Sequence, residues 1–169
     1  MSNSMDDIAQ GAAAIFIIGS NTTEQHPVFG TMLRRAVSQR GVKLVVADPR
    51  SIDITDFATL HLRHHPGTDV ALINGLMRII LEKGWENTEF IASRTEGVED
   101  LRNLLAQYPP DQVAETTGVP MTQLYEAAEI LAANKPTAVI WAMGITQHIV
   151  GVRNVMDLAG AHTSEFAAD

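Results

Sequence analysis

The sequence predicts an α/β fold built on a parallel sheet of about four strands, with helices on both faces. Two observations lead there. Three times an apolar, β-branched run stops at a short polar loop that leads toward a helix: Ala14–Ile18 before Gly19, Lys43–Ala47 before Asp48, and Thr137–Trp141 before Ala142. Runs of this length are what strands buried on both faces look like, and intervening helices supply the crossovers that parallel pairing needs. The chain has 169 residues, 46% of them hydrophobic, which suits one domain with a sizeable core.

Taken in order, residues 5–10 form a short acidic turn or helix feeding the first strand. After the loop at Gly19, residues 26–39 place Val28, Met32, Leu33, Ala36 and Val37 at a helical period with one face to bury. Gly41 follows where a left-handed C-cap residue is wanted, and the second strand begins. These elements make a βαβ unit with a right-handed crossover. A third, shorter strand is expected over 59–62. Pro66-Gly67-Thr68-Asp69 then turns the chain and starts a helix. Thr68 suits its N-cap, and Asp69 in the first turn complements the dipole. That helix runs through Leu72, Ile73, Leu76, Met77 and Ile80 to a stop near Gly84. Shorter helices are expected over 88–93, 97–107, 111–117 and 120–133, punctuated by Pro109-Pro110, Gly118 and Pro120. They make a helical insertion, 85–135, inside one Rossmann-like domain spanning 1–169. Met5, Met32, Met77 and Met121 read as core filler.

Composition removes several function classes. The formal net charge of −8 argues against a nucleic-acid surface, which shows clustered Lys and Arg. No apolar run reaches the ~18 residues of a membrane span. The first residues, Met1 to Asp7, have no basic region leading into an apolar core, so no signal peptide is read and a cytoplasmic location is expected. There is no cysteine, hence no disulfide, zinc thiolate or cysteine-held cluster within this polypeptide. His61, His64 and His65 do not read as a metal site, because His61 and His64 on a strand-like segment face opposite ways. No Ser-His-Asp arrangement, Walker loop or paired-carboxylate site appears, and no catalytic residue is assigned.

In open parallel sheets, ligands sit beyond the carboxyl ends of the strands, which is where this chain puts its polar loops. Each loop has two readings. Gly19-Ser20-Asn21-Thr22-Thr23-Glu24 lacks the G-x-G-x-x-G spacing. It either presents backbone donors to a nucleotide phosphate or makes a tight turn with Thr22, Thr23 or Glu24 as a helix cap. Asp48 either accepts from a ribose diol or opens a turn with Pro49 and pairs with Arg50. Asp69 either accepts from N1–H and the amino group of a guanine or is a plain first-turn acid. Gly144 and Gln147 either allow close approach and reach a heterocycle edge, or form a turn with a surface amide.

The same loops carry a resemblance. Ile17-Ile18-Gly19-Ser20-Asn21-Thr22-Thr23-Glu24-Gln25-His26-Pro27, Val46-Ala47-Asp48-Pro49-Arg50 and Pro66-Gly67-Thr68-Asp69-Val70-Ala71-Leu72 are three of its five motifs. The others are Phe90-Ile91-Ala92-Ser93-Arg94-Thr95-Glu96-Gly97 and Trp141-Ala142-Met143-Gly144-Ile145-Thr146-Gln147-His148. In this order, over nearly the whole chain, they resemble the α subunits of molybdopterin-dependent formate dehydrogenases. Those belong to the dimethyl-sulfoxide-reductase family, which binds molybdopterin guanine dinucleotide.

The resemblance implies one Rossmann-like domain of a larger, four-domain subunit. Its cofactor contacts carry over to Asn21 and Glu24, to Asp48, Pro49 and Arg50, and to Gly67 and Asp69, for the nucleotide portion. Met143, Gly144 and Gln147 lie nearer the pterin. The family's cluster cysteines are absent, as is the cysteine or selenocysteine that ligates molybdenum with its adjoining histidine. The segment from Ala161 to Asp169 also lacks the expected apolar continuation. An internal slice of the subunit is therefore expected, as a deliberate excision, a frameshift or a selenocysteine codon read as stop would produce. It is expected to be inactive alone, with no tightly bound cofactor or metal. Its expected partners are the parent subunit's other domains, or a second copy through the apolar stretch Ile145, Ile149, Val150, Val152, Val155, Met156 and Leu158. Two rival readings remain: a freestanding NAD-type nucleotide module, and a non-catalytic structural or interaction domain.

Overall fold

The computed structural model describes residues 3–161. Its sheet has four strands, β1 (Ala14–Ile18), β2 (Lys43–Ala47), β3 (Leu60–Leu62) and β4 (Thr137–Trp141), in the order β3-β2-β1-β4. Every pairing is parallel, with Ala14 opposite both Lys43 and Thr137. The α/β layer expected from the apolar runs is what the chain builds.

Alternation along each strand sends neighbouring side chains to opposite faces. Ile15, Ile17, Leu44 and Val46 pack against Phe29, Leu33 and Ala36 of α3 (Pro27–Arg40), with Ile52 and Ile54 closing that layer. Phe16, Ile18, Val45 and Ala47 pack on the other side against Leu72, Ile73, Leu76 and Ile80 of α4 (Asp69–Lys83) and Leu124, Ala127 and Leu131 of α8 (Met121–Ala133). Both faces are covered, which explains why the strands read as unbroken apolar runs.

Before β1 lies α1 (Met5–Gly11), opened by a capping box between Ser4 and Asp7. Between α4 and α8 come α5 (Thr88–Arg94), α6 (Val98–Leu105) and α7 (Pro110–Thr117). After β4 come α9 (Met143–Thr146) and α10 (Gly151–Ala161).

Several details depart from the sequence expectation. The loop after β1 contains an unexpected single turn, α2 (Thr22–Gln25), whereas α3 starts at Pro27, within one residue of the helix expected over 26–39. Proline is pre-set for the first helical position and has no N–H to continue an earlier turn. A 3-10 turn at Asp53–Phe57 has no helical apolar period to announce it; it serves to bury Ile54. Thr68 occupies the N-cap of α4 but makes no capping bond, because its Oγ1 donates to the His65 carbonyl at 2.7 Å. Met77 is core filler, but Met5 and Met121 are exposed. Each is the first residue of its helix, where side chains lean toward the N-terminus and project past the packed face.

From β1 the chain steps outward through β2 to β3, then returns to set β4 on the other side of β1. The loops leaving β1 and β4 therefore diverge from adjacent strands, the switch point at which open α/β sheets bind ligands.

Candidate functional site

At that switch point the loops after β1 and β4 touch through their backbones. Gly144 donates its N–H to the Gly19 carbonyl at 3.0 Å. A Cβ on Gly144 would lie 2.6 Å from Gly19 O, and one on Gly19 would lie 2.8 Å from the Gly144 carbonyl carbon. Gly19 also has φ +58°. Only glycine fits either position.

The second loop is tied down from β3. The Asp48 carbonyl accepts from His61 Nε2 at 2.9 Å, and the Pro49 carbonyl from Arg63 Nε at 2.9 Å. Asp48 itself is buried; its Oδ1 accepts from the Arg50 backbone N–H at 2.9 Å and from Arg50 Nε at 3.2 Å, and its Oδ2 from Nη2 at 3.3 Å. The hydrogen bond to Asp48, then its charge, then the more distant Glu24, hold the Arg50 guanidinium above its already high ordinary pKa. The local reading of Asp48, pairing with Arg50, is correct, and the same side chain lines the cleft.

Asp69 opens α4 and is 5% exposed. Its Oδ1 lies 3.0 Å from Nε2 of His64, which is 2% exposed. In the β1 loop, Asn21 is half-buried, with Oδ1 accepting from Thr23 Oγ1 at 3.2 Å. Beneath it, the buried hydroxyls of Ser20 and Thr22 bond each other at 3.2 Å.

These groups surround one cleft of about 210 Å³. Of the residues singled out from sequence, Asn21, Asp48, Pro49, Arg50, Gly67, Asp69 and Gly144 line it. Glu24, Met143 and Gln147 do not; all three are exposed, on the one-turn helices α2 and α9 or at the end of α9. Gln25 and His148 line it and were not singled out, and His64, weighed from sequence only as a metal ligand, lines it too. His64 follows β3 by two residues, so the strand-end rule that found the other loops would have found it too. A larger open depression of about 550 Å³ lies along α5 and α6, lined by Thr88, Ile91, Thr95 and Arg102 among others. Its guanidinium is already paired with Glu86 at 3.3 Å, and it lacks the buried carboxylates of the switch-point cleft.

Chemically, the cleft offers two buried carboxylates, a cationic rim at Arg50 and a glycine-lined floor. By charge and hydrogen-bonding capacity such a set is complementary to paired N–H or hydroxyl donors and an anionic group. No nucleophile and base face each other there.

Comparison with known proteins gives the chain its relatives. The family model described as molybdopterin oxidoreductase matches residues 1–163. F420-dependent formate dehydrogenase 1 subunit alpha of Methanococcus maripaludis is 39% identical over 155 residues, 92% of this chain and 23% of that protein. Periplasmic nitrate reductase of Desulfovibrio desulfuricans is 37% identical over 156 residues, 86% of this chain and 20% of that protein. Among solved structures, acetylene hydratase from Pelobacter acetylenicus superposes with a TM-score of 0.87 at 27% identity, covering 92% of this chain and 22% of that one. The chain thus spans less than a quarter of the length of these relatives.

Proposed function

This chain belongs to the molybdopterin oxidoreductase family, and from that premise we propose that it forms the nucleotide-holding wall of a molybdopterin guanine dinucleotide site in a formate dehydrogenase-like subunit. The observation that carries the reading is the pair of buried carboxylates, Asp48 and Asp69, on one cleft at the switch point. The relatives are named for formate, nitrate and acetylene, three unlike substrates, yet share this segment. What they share is better sought in cofactor holding than in substrate chemistry.

The residues fit the group. Asp69 accepts from N1–H and the exocyclic amine of guanine, Asp48 from the ribose diol, and Arg50 faces the diphosphate. Gly19 and Gly144 leave room for close approach, where a Cβ would collide. Gly67 and Asn21 complete the nucleotide side, while Met143 and Gln147, exposed beyond the cleft, face the pterin. Glu24, exposed outside the cleft lining, adds its charge to that of Asp48 in supporting Arg50. The molybdenum–pterin group supplies the redox centre when bound. The chain has no cysteine to offer it as a thiolate, so turnover belongs to the longer subunit.

A cleft of about 210 Å³ is smaller than the roughly 300–1,000 Å³ of typical small-molecule sites, as befits one wall of a site between domains. Binding by the chain alone is therefore weak, millimolar at best, on the order of −4 kcal/mol. Calorimetric titration with GMP, AMP and NAD tests the reading. GMP alone should bind. Preference for AMP or NAD would favour a freestanding NAD-type module, and no binding by any of them would favour a structural domain.

A further inference from the structure

We propose that His64 is a positioning residue for base recognition: its Nε2–H pins the Asp69 carboxylate in the orientation that reads guanine. The proposal rests on the assignment of Asp69 to the base.

A first-turn acid ordinarily points to solvent or caps its own helix. Asp69 does neither of these freely. It is buried, the N-cap hydroxyl beside it is spent on the His65 carbonyl, and its bond across the turn is to His64 at 3.0 Å. A carboxylate can only accept, so Nε2 carries the hydrogen whether the ring is neutral or protonated. The ring itself has little freedom. It is 2% exposed, its Nδ1 lies 3.5 Å from the Leu62 carbonyl, and its backbone N–H donates to that same carbonyl at 3.1 Å.

Pinning matters because guanine presents two adjacent donors in one plane, and both carboxylate oxygens must lie in that plane to meet them. Each oxygen accepts more than one hydrogen bond, so the bond to His64 leaves Oδ1 able to accept from a base. A pinned carboxylate also cannot turn away from the bare N1 of adenine, which has no hydrogen there. Repulsion then adds to the missing bond, and specificity gains a negative component. Neither Asp69 alone nor the helix dipole supplies that.

The test uses the 169-residue chain and two replacements. His64→Gln keeps an N–H donor near the Nε2 position, whereas His64→Leu keeps the volume and removes the donor. GMP and AMP are titrated against each protein and followed by 1H–15N amide shifts. The wild type should prefer GMP by tenfold or more, H64Q should stay within about threefold of that ratio, and H64L should lose most of it. In the wild type, a slowly exchanging Nε2–H should appear in the imidazole region and vanish in Asp69→Leu. If H64L does not fold, His64→Asn, too short to reach Asp69, takes its place against H64Q. A GMP preference retained in H64L or H64N, or an Nε2 without hydrogen, overturns the role of His64 alone. Absence of GMP preference in the wild type overturns the base assignment and the role of His64 with it.

Discussion

Replacing Gly144 by alanine should disturb both the fold and the cleft, because the new methyl would sit 2.6 Å from the Gly19 carbonyl oxygen. Backbone is on the other side of that contact, so relief requires the two loops to part. Overpacking of this kind costs about 1–3 kcal/mol. Gly160→Ala is the control: a Cβ there meets nothing within 4 Å, and in the last turns of α10 it should be neutral or mildly stabilising. Urea unfolding of both variants checks this; a wild-type midpoint for Gly144→Ala would contradict it. Gly144 was legible in the sequence because it follows an unmistakable strand. Asp48 was legible for the same reason, and its two readings are compatible. Its carboxylate both closes the Arg50 turn and lines the cleft. His64 was not legible as a partner of Asp69, because the pairing crosses the Pro66-Gly67 turn and depends on burial that local spacing does not express.

At the scale of elements, strands were readable and one-turn helices were not. A strand buried on both faces has a signature in five residues, whereas α2 and α9 are four residues each and complete no apolar period. Helix α10 packs Leu158 and Ala161 into the core and is also tied by a polar contact: Asn154 is 1% exposed and its Nδ2 donates to the Ile145 carbonyl at 3.0 Å. On the same helix, burial pushes the Asp157 carboxyl up to about 6, with Arg153 pulling it down less strongly, and Oδ2 is buried without a hydrogen-bond partner among the described residues. An acid with a raised folded-state pKa binds more protons folded than unfolded between 3.8 and about 6. Its contribution to stability therefore falls as pH rises through that window and stays low above it. Asp157→Asn should be more stable than the wild type at pH 7, by about 1 kcal/mol after discounting for partial exposure, and equal to it near pH 4. Urea midpoints at the two pH values decide; the same difference at both would show that Asp157 does not titrate in this way.

For the molecule as a whole, the sequence announced a parallel sheet but not its strand order, since side-chain pattern says which face is buried and not which neighbour is paired. The order places β4 at an edge, with no further strand beside it among the described residues. Of the apolar stretch expected to seek a partner, Ile145 and Leu158 are buried and Val155 packs against the core, whereas Ile149, Val150, Val152 and Met156 are exposed, as is Trp141 at the end of β4; these exposed apolar side chains invite a partner. On the proposed reading that partner is another domain of a longer subunit; for the 169-residue chain we expect a second copy. Sedimentation velocity across a range of concentrations should show a dimer or larger species, and a monodisperse monomer at the highest concentration would contradict it. Formate-dependent dye reduction by the chain alone should not exceed a buffer control, since it contains no cysteine to serve a metal centre.

The proposed guanine-nucleotide wall is tested most directly by mapping where a nucleotide lands. Titrating the labelled chain with GDP and with ADP, and following every backbone amide, reads both location and selectivity. GDP should move the amides of Gly19, Asn21, Asp48, Gly67, Asp69 and Gly144 together, with one millimolar-range dissociation constant, while ADP leaves them nearly still. Equal or stronger shifts with ADP, or GDP shifts gathered along α5 and α6 instead, would contradict it.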